Sequence, residues 1–88
     1  MNQSYPTAII TGASKGIGRA LALLLAGHNF QLSLIARNQG ELKDLAAEIT
    51  EIGHRPLYFV GDVSDEAFVQ MAIEKTAHTF QKIDFLIN

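Results

Sequence analysis

Thr11–Gly18, TGASKGIG, carries three of the chain's seven glycines together with a lysine and two hydroxyls. An apolar stretch, TAIIT (Thr7–Thr11), leads into it. A helix-forming stretch from about Gly16 to Gly27 leads out, apolar almost all round, as expected of a helix buried against a sheet. Apolar run, glycine turn and helix together describe a strand handing over to a helix. Gly12 can take a positive φ there without a Cβ clash. Gly16 lets the backbone approach a bulky anion, and Gly18 lets the helix pack closely on the sheet. The helix start offers unpaired N–H groups and about half a positive charge, a site suited to a pyrophosphate. Ser14 and Lys15 add a hydroxyl and a cation at the rim, and Ile17 lies in the first turn; with the three glycines they are candidate cofactor contacts. The chain has no G-x-x-x-x-G-K-[ST], which argues against a P-loop NTPase.

Outward from this junction the same two kinds of segment alternate. QLSLIA (Gln31–Ala36), LYFV (Leu57–Val60) and IDFLI (Ile83–Ile87) are short, apolar and bounded by breakers, as strands covered on both faces are. A second helix opens at Asn38, with Glu41 at capping-box spacing, an apolar stripe of Leu42, Leu45, Ala46, Ile49 and Ile52, and Gly53 to end it. A third starts after Ser64 as N-cap, with Asp65 and Glu66 complementing its positive end. Its stripe is Val69, Ala72, Ile73, Thr76, Ala77 and Phe80. The order β-α-β-α-β-α-β predicts an α/β fold, a Rossmann-like, doubly wound parallel sheet with right-handed crossovers. The last strand runs to the end of the chain, so a truncated sheet with an exposed apolar edge is expected.

Composition bounds the rest. At 88 residues the chain is one small domain, and a 48% apolar content is not that of a disordered chain. A formal charge of -2 gives no general attraction to nucleic acid or anionic membrane. Without cysteine there are no disulfides, zinc–thiolate sites or thiol nucleophiles. The opening MNQSYP lacks a cationic signal region, and ALALLLAG (Ala20–Gly27) is far short of the ~20 residues a spanning helix needs. A cytoplasmic protein is expected, with neither nucleic acid nor membrane as partner.

With these residues in hand, the chain from about Thr7 to Asn88 resembles the short-chain dehydrogenases/reductases. Thr11, Gly12, Gly16 and Gly18 match that family's T-G-x-x-x-G-x-G turn, which differs from the G-x-G-x-x-G of many other dinucleotide-binding folds. The resemblance implies that GDV (Gly61–Val63) contacts adenine, Asp62 accepting from its amino group and Val63 offering its backbone N–H. It also implies that LIN (Leu86–Asn88) opens the family's N-N-A-G segment beside the cofactor, with Asn88 as its first asparagine. The implied reaction is hydride transfer between a nicotinamide and a small carbonyl or alcohol substrate, in a homo-oligomer. The family's chemistry uses a serine, a tyrosine and a lysine four residues beyond the tyrosine. Here Tyr5 and Tyr58 are followed four residues on by Ile9 and Asp62, so no catalytic residue is assigned. Residues 1–88 are therefore expected to be the N-terminal, cofactor-binding half of an oxidoreductase, inactive alone and marginal or self-associating in isolation.

The end of the second strand selects the cofactor. An NAD-type site places a carboxylate ~20 residues past the glycine turn to bond the ribose 2′-hydroxyl. This chain has IARN (Ile35–Asn38) there, with Ala36 where the family's acid stands and Arg37 and Asn38 following. A carboxylate repels a 2′-phosphate, whereas a guanidinium bonds it through two charge-assisted contacts. Lys15 occupies the other place where NADP-preferring members carry a base. NADP(H) is expected.

The remaining polar residues read as structural. His28, His54 and His78 lack metal-ligand spacing, and no metal site is expected. Asp44, Glu48 and Glu51 read as a wet helix face, Arg19 as an exposed helical arginine, and at least one of Tyr58 and Phe59 as core. A non-catalytic nucleotide-binding or interaction module on the same scaffold is the alternative.

Overall fold

The computed structural model describes residues 5–88; Met1–Ser4, part of the polar opening MNQSYP, lie outside them. Four strands and three helices alternate: β1 (Thr7–Thr11), α1 (Gly16–Ala26), β2 (Gln31–Ala36), α2 (Gln39–Ile52), β3 (Leu57–Val60), α3 (Glu66–Phe80) and β4 (Phe85–Ile87). All neighbouring strands are parallel, in the order β3-β2-β1-β4. The chain thus steps outward from β1 through β2 to β3, then crosses back to place β4 on the other side of β1. That reversal makes β1 the switch point of the sheet, and doubly wound sheets bind ligands beyond the carboxyl ends of the strands at such a point.

Strand alternation sorts the core into two layers. Ala8, Ile10, Leu32 and Leu34 face α1 and α2 and join Ala22, Ala26, Leu42, Leu45 and Ile49 in the larger cluster. Ile9 and Ile35 point the other way, with Ala72 of α3 and the partly buried Phe59, Phe68, Ile73 and Ile83. The Thr76 hydroxyl, fully buried in this second layer, shares 2.7 Å hydrogen bonds with Ser33 Oγ and the Ala72 carbonyl. This partner set makes a threonine tolerable in an otherwise apolar stripe.

Several expectations are corrected. Only β1 and β2 are buried on both faces; β3 alternates half-buried with exposed, and β4 is mostly exposed, because these two form the sheet's edges. β4 starts at Phe85 rather than Ile83, since Asp84 turns its carboxylate onto the Thr7 N–H at 2.8 Å. α1 is not enclosed all round: Ala22 and Ala26 are buried, while Leu24 is 58% exposed. Ile52 and Ala77 also lie open, one at the end of α2 and one on the outward side of α3. The cap of α3 is Asp65, not Ser64. Asp62 accepts the Ser64 N–H at 2.9 Å and its carbonyl accepts the Asp65 N–H at 3.0 Å, so Ser64 is spent inside a turn. Asp65 then caps the Phe68 N–H at 3.2 Å.

Candidate functional site

The turn between β1 and α1 depends on its glycines in a definite way. Gly12 and Gly16 sit at φ +64° and +55°, backbone that an L side chain rarely adopts. Gly18 is required for space: a Cβ there would lie 2.4 Å from the Gly12 carbonyl oxygen. The close approach is therefore between the helix start and the turn itself, rather than between helix and sheet. The Ala13 N–H donates to the Ile35 carbonyl at 3.3 Å, which ties the turn to the end of β2.

α1 begins differently from its neighbours. Asn38 Oδ1 accepts the Glu41 N–H at 2.9 Å to cap α2, and Asp65 caps α3. At α1 the N-cap is Lys15, in extended conformation, with no side-chain cap and no acidic residue in the first turn. Its leading N–H groups are open to a ligand, and no acidic side chain of its own first turn offsets their partial positive charge. That is the donor set a diphosphate requires.

Beside this helix start lies an open groove of about 390 Å³. One wall is the turn, with Gly12, Ser14 and Lys15; the other is the end of β2 and start of α2, with Ile35, Ala36, Arg37 and Asn38. Val63 and Glu41 complete the lining. Six of the residues expected from sequence, Gly12, Ser14, Lys15, Arg37, Asn38 and Val63, are thus brought together. Gly16 and Gly18 shape the turn without lining the groove, and Ile17, 87% exposed, projects beside it. Asp62 stands just past β3. The Ser64 N–H and hydroxyl hold its carboxyl below the usual carboxylate range, with Arg37 adding to this and partial desolvation opposing. Asn88 follows β4 on the side of β1 away from β2, where the Thr11 hydroxyl donates to its side-chain oxygen at 3.0 Å.

Besides Ala36, which sequence marks only as the place of a missing acid, Ile35 and Glu41 line the groove without being among the expected contacts. Ile35 is a core residue whose edge reaches the groove, as the last turn of any buried strand can. From sequence, Glu41 has the spacing of a helix-capping partner and no other signal. It accepts no reciprocal bond: its Oε1 is buried without a hydrogen-bond partner among the described residues. Of the residues set aside, Arg19 is paired with Glu48 across α1 and α2 rather than free in solvent, Asp44 and Glu51 are exposed, and Phe59 packs in the core. No grouping of titratable side chains among the described residues could hold a metal ion, and no helix there is long and apolar enough to cross a membrane.

The short chain dehydrogenase family model matches residues 6–88. L-rhamnose 1-dehydrogenase (NAD(P)(+)) of Sphingomonas sp. (strain SKA58) is 36% identical over 83 residues, covering 93% of this chain and 33% of that protein. Oxidoreductase UcpA of Salmonella typhimurium is 42% identical over 82 residues, covering 93% and 31%. Among solved structures, an alcohol dehydrogenase from the archaeon Thermococcus sibiricus, complexed with 5-hydroxy-NADP, superposes with a TM-score of 0.86 at 36% identity, over 93% of this chain and 35% of that one. An NAD+-bound xylitol dehydrogenase gives 0.87 at 31% identity, over 97% and 33%. The chain spans about a third of the length of these relatives. A parallel sheet in the order β3-β2-β1-β4, an uncapped helix behind a T-G-x-x-x-G-x-G turn and a family match from residue 6 to residue 88 have one reading: the chain belongs to the short chain dehydrogenase family.

Proposed function

We propose that this chain holds NADP(H) for an oxidoreductase that moves hydride between the nicotinamide and a carbonyl or alcohol carbon. The observation that carries the cofactor assignment is the composition of the groove: Lys15 from one wall and Arg37 from the other, with Ala36 where an acid would bond a 2′-hydroxyl. The open N–H groups of α1 would receive the diphosphate, and Gly12 and Gly16 would let it approach the backbone. Lys15 and Arg37 would hold the 2′-phosphate, Arg37 through two parallel bonds. Val63 and Ile35 offer apolar surface to the adenine, and Asp62 keeps an ionised carboxylate near it for the exocyclic amino group. Thr11 and Asn88, bonded across β1 and β4, fix the sheet edge toward which the rest of the dinucleotide would extend.

The cofactor supplies the hydride; these residues bind and orient it. Neither tyrosine is followed by a lysine four residues on, so residues 1–88 are proposed to bind without turnover, the substrate and its acid–base group meeting them in a homo-oligomeric enzyme.

Calorimetry at low salt with NADPH, NADH and 2′-phospho-ADP-ribose tests this. NADPH and the phosphorylated ribose fragment should bind alike, and both more tightly than NADH. Arg37→Asp should reverse the order, because it replaces a bidentate donor by a repelling charge. Equal affinity of the wild-type chain for NADPH and NADH would overturn the NADP(H) assignment.

A further inference from the structure

The groove that gathers two cations also contains an acid. Glu41 stands in the first turn of α2 and lines the groove with Lys15 and Arg37. Its backbone N–H is taken by Asn38, but its Oε1 is buried and has no donor among the described residues. No ion pair among the described residues joins it to Lys15 or Arg37. A buried carboxylate oxygen without a donor is costly, and a native structure rarely keeps one without a use. The terminal torsion of a glutamate is broad and roughly two-fold, so the carboxylate of this groove-lining residue can reorient at little cost.

We propose that Glu41 is a cofactor-specificity residue that works against Arg37 and Lys15, and this rests on the nicotinamide-dinucleotide reading above. Its carboxylate would accept a hydrogen bond from the 2′-hydroxyl of an unphosphorylated adenosine ribose, the role left vacant by Ala36. Toward a 2′-phosphate the same carboxylate is a like charge that cannot accept a bond from a deprotonated oxygen. Glu41 therefore narrows the margin between the two cofactors. The groove accepts both, with the phosphorylated one ahead by less than its two cations alone would give.

The test is the ratio of dissociation constants for NADH and NADPH, measured by fluorescence titration of the 88-residue chain at low, fixed salt, where partly exposed charges are least screened. Glu41→Gln keeps the shape and removes the charge. It should tighten NADPH, weaken NADH and raise the ratio about tenfold, the scale of one like charge removed from beside a phosphate in a half-wet groove. Glu41→Asp keeps a negative charge at the start of α2 but withdraws it from the groove, and should raise the ratio as well. If Glu41 served only the first turn of α2, Glu41→Gln would lower the melting temperature and weaken both cofactors equally. An unchanged ratio in both variants, with binding retained, overturns the assignment and leaves the cofactor reading standing. Failure of the wild-type chain to bind either cofactor overturns both.

Discussion

Asp84 does the work of a clasp with one side chain. Its Oδ2 accepts the Thr7 N–H at 2.8 Å, its own N–H donates to the Thr7 carbonyl at 2.9 Å, and Lys82 Nζ stands 3.3 Å from the same carboxylate oxygen. These bonds join the approach to β4 to the first residue of β1, 77 positions away in the chain. The Thr7 amide holds the Asp84 carboxyl below the usual carboxylate range; Lys82 adds to this, and partial desolvation opposes it. A carboxylate with a depressed folded-state pKa stabilises the fold above its unfolded value of 3.8 and loses that contribution as pH falls through the lower folded value. The clasp is therefore closed at neutral pH and opens only in acid. Asp84→Asn should reproduce the acid state at pH 7: hydrogen exchange at the Thr7 amide should quicken, while that of Leu34 in β2 stays slow. Equal protection of Thr7 in both proteins would show that β4 is held by its ladder alone. Nothing in the local sequence distinguishes Asp84 from any aspartate before a strand, because its partner is supplied by the fold. Lys15 and Arg37 were legible for the opposite reason: each lies within a residue or two of a turn that sequence alone defines. Glu41 was half legible, as a residue at the start of a helix but not as a wall of the groove.

At the scale of elements, β1, β2 and β3 begin and end where their flanking breakers predict, since short apolar runs between glycine, proline and polar clusters leave little freedom. Burial was less legible. Ile52, Ala77 and Leu24 continue apolar stripes, yet they are exposed, because a stripe records which face is apolar and not how far the neighbouring layer extends. The start of α3 shows a local competition of the same kind. Ser64 has good capping chemistry, but its N–H and hydroxyl are both turned onto the Asp62 carboxylate, and the Phe68 N–H is capped by Asp65 instead. The two residues should therefore respond differently to truncation. Asp65→Ala removes the bond to the Phe68 N–H and should cost about 1 kcal/mol, a fall in Tm of roughly 4–8 °C for a domain of this size. Ser64→Ala leaves that cap intact and should shift Tm by a small fraction of this, limited to the exposed contact its hydroxyl makes with Asp62. Thermal unfolding followed by circular dichroism decides between them, and a larger loss from Ser64→Ala would return the cap to the serine.

The whole molecule is a sheet whose central strands are finished and whose edges are not. α1 and α2 cover one face over β1 and β2, leaving Tyr58 and Val60 of β3 open on that face, and α3 covers the other; of β4 only Ile87 packs against the first layer. Successive residues of a strand point to opposite faces, so Phe85 and Leu86 expose apolar surface on both sides at once, 52% and 56% open. Phe85 makes a tilted contact with the Phe30 ring, the centroids 6.0 Å apart, and still stands half open. An uncovered edge strand with apolar side chains on each face is a template for pairing with another copy. In isolation the 88-residue chain should therefore associate as its concentration rises, and should bind an apolar dye that is released on association. Leu86→Lys leaves the backbone pairing of Leu86 with Ile9 untouched and places a charge at the edge, the device natural sheets use against such pairing. Sedimentation velocity should show this variant shifted toward monomer over the same concentration range, with dye binding reduced. A wild-type chain that stays monomeric at every concentration and binds no dye would mean that the exposed residues of β4 are too few to drive association, and that the open edge is sealed by its shortness, three residues, rather than by a partner.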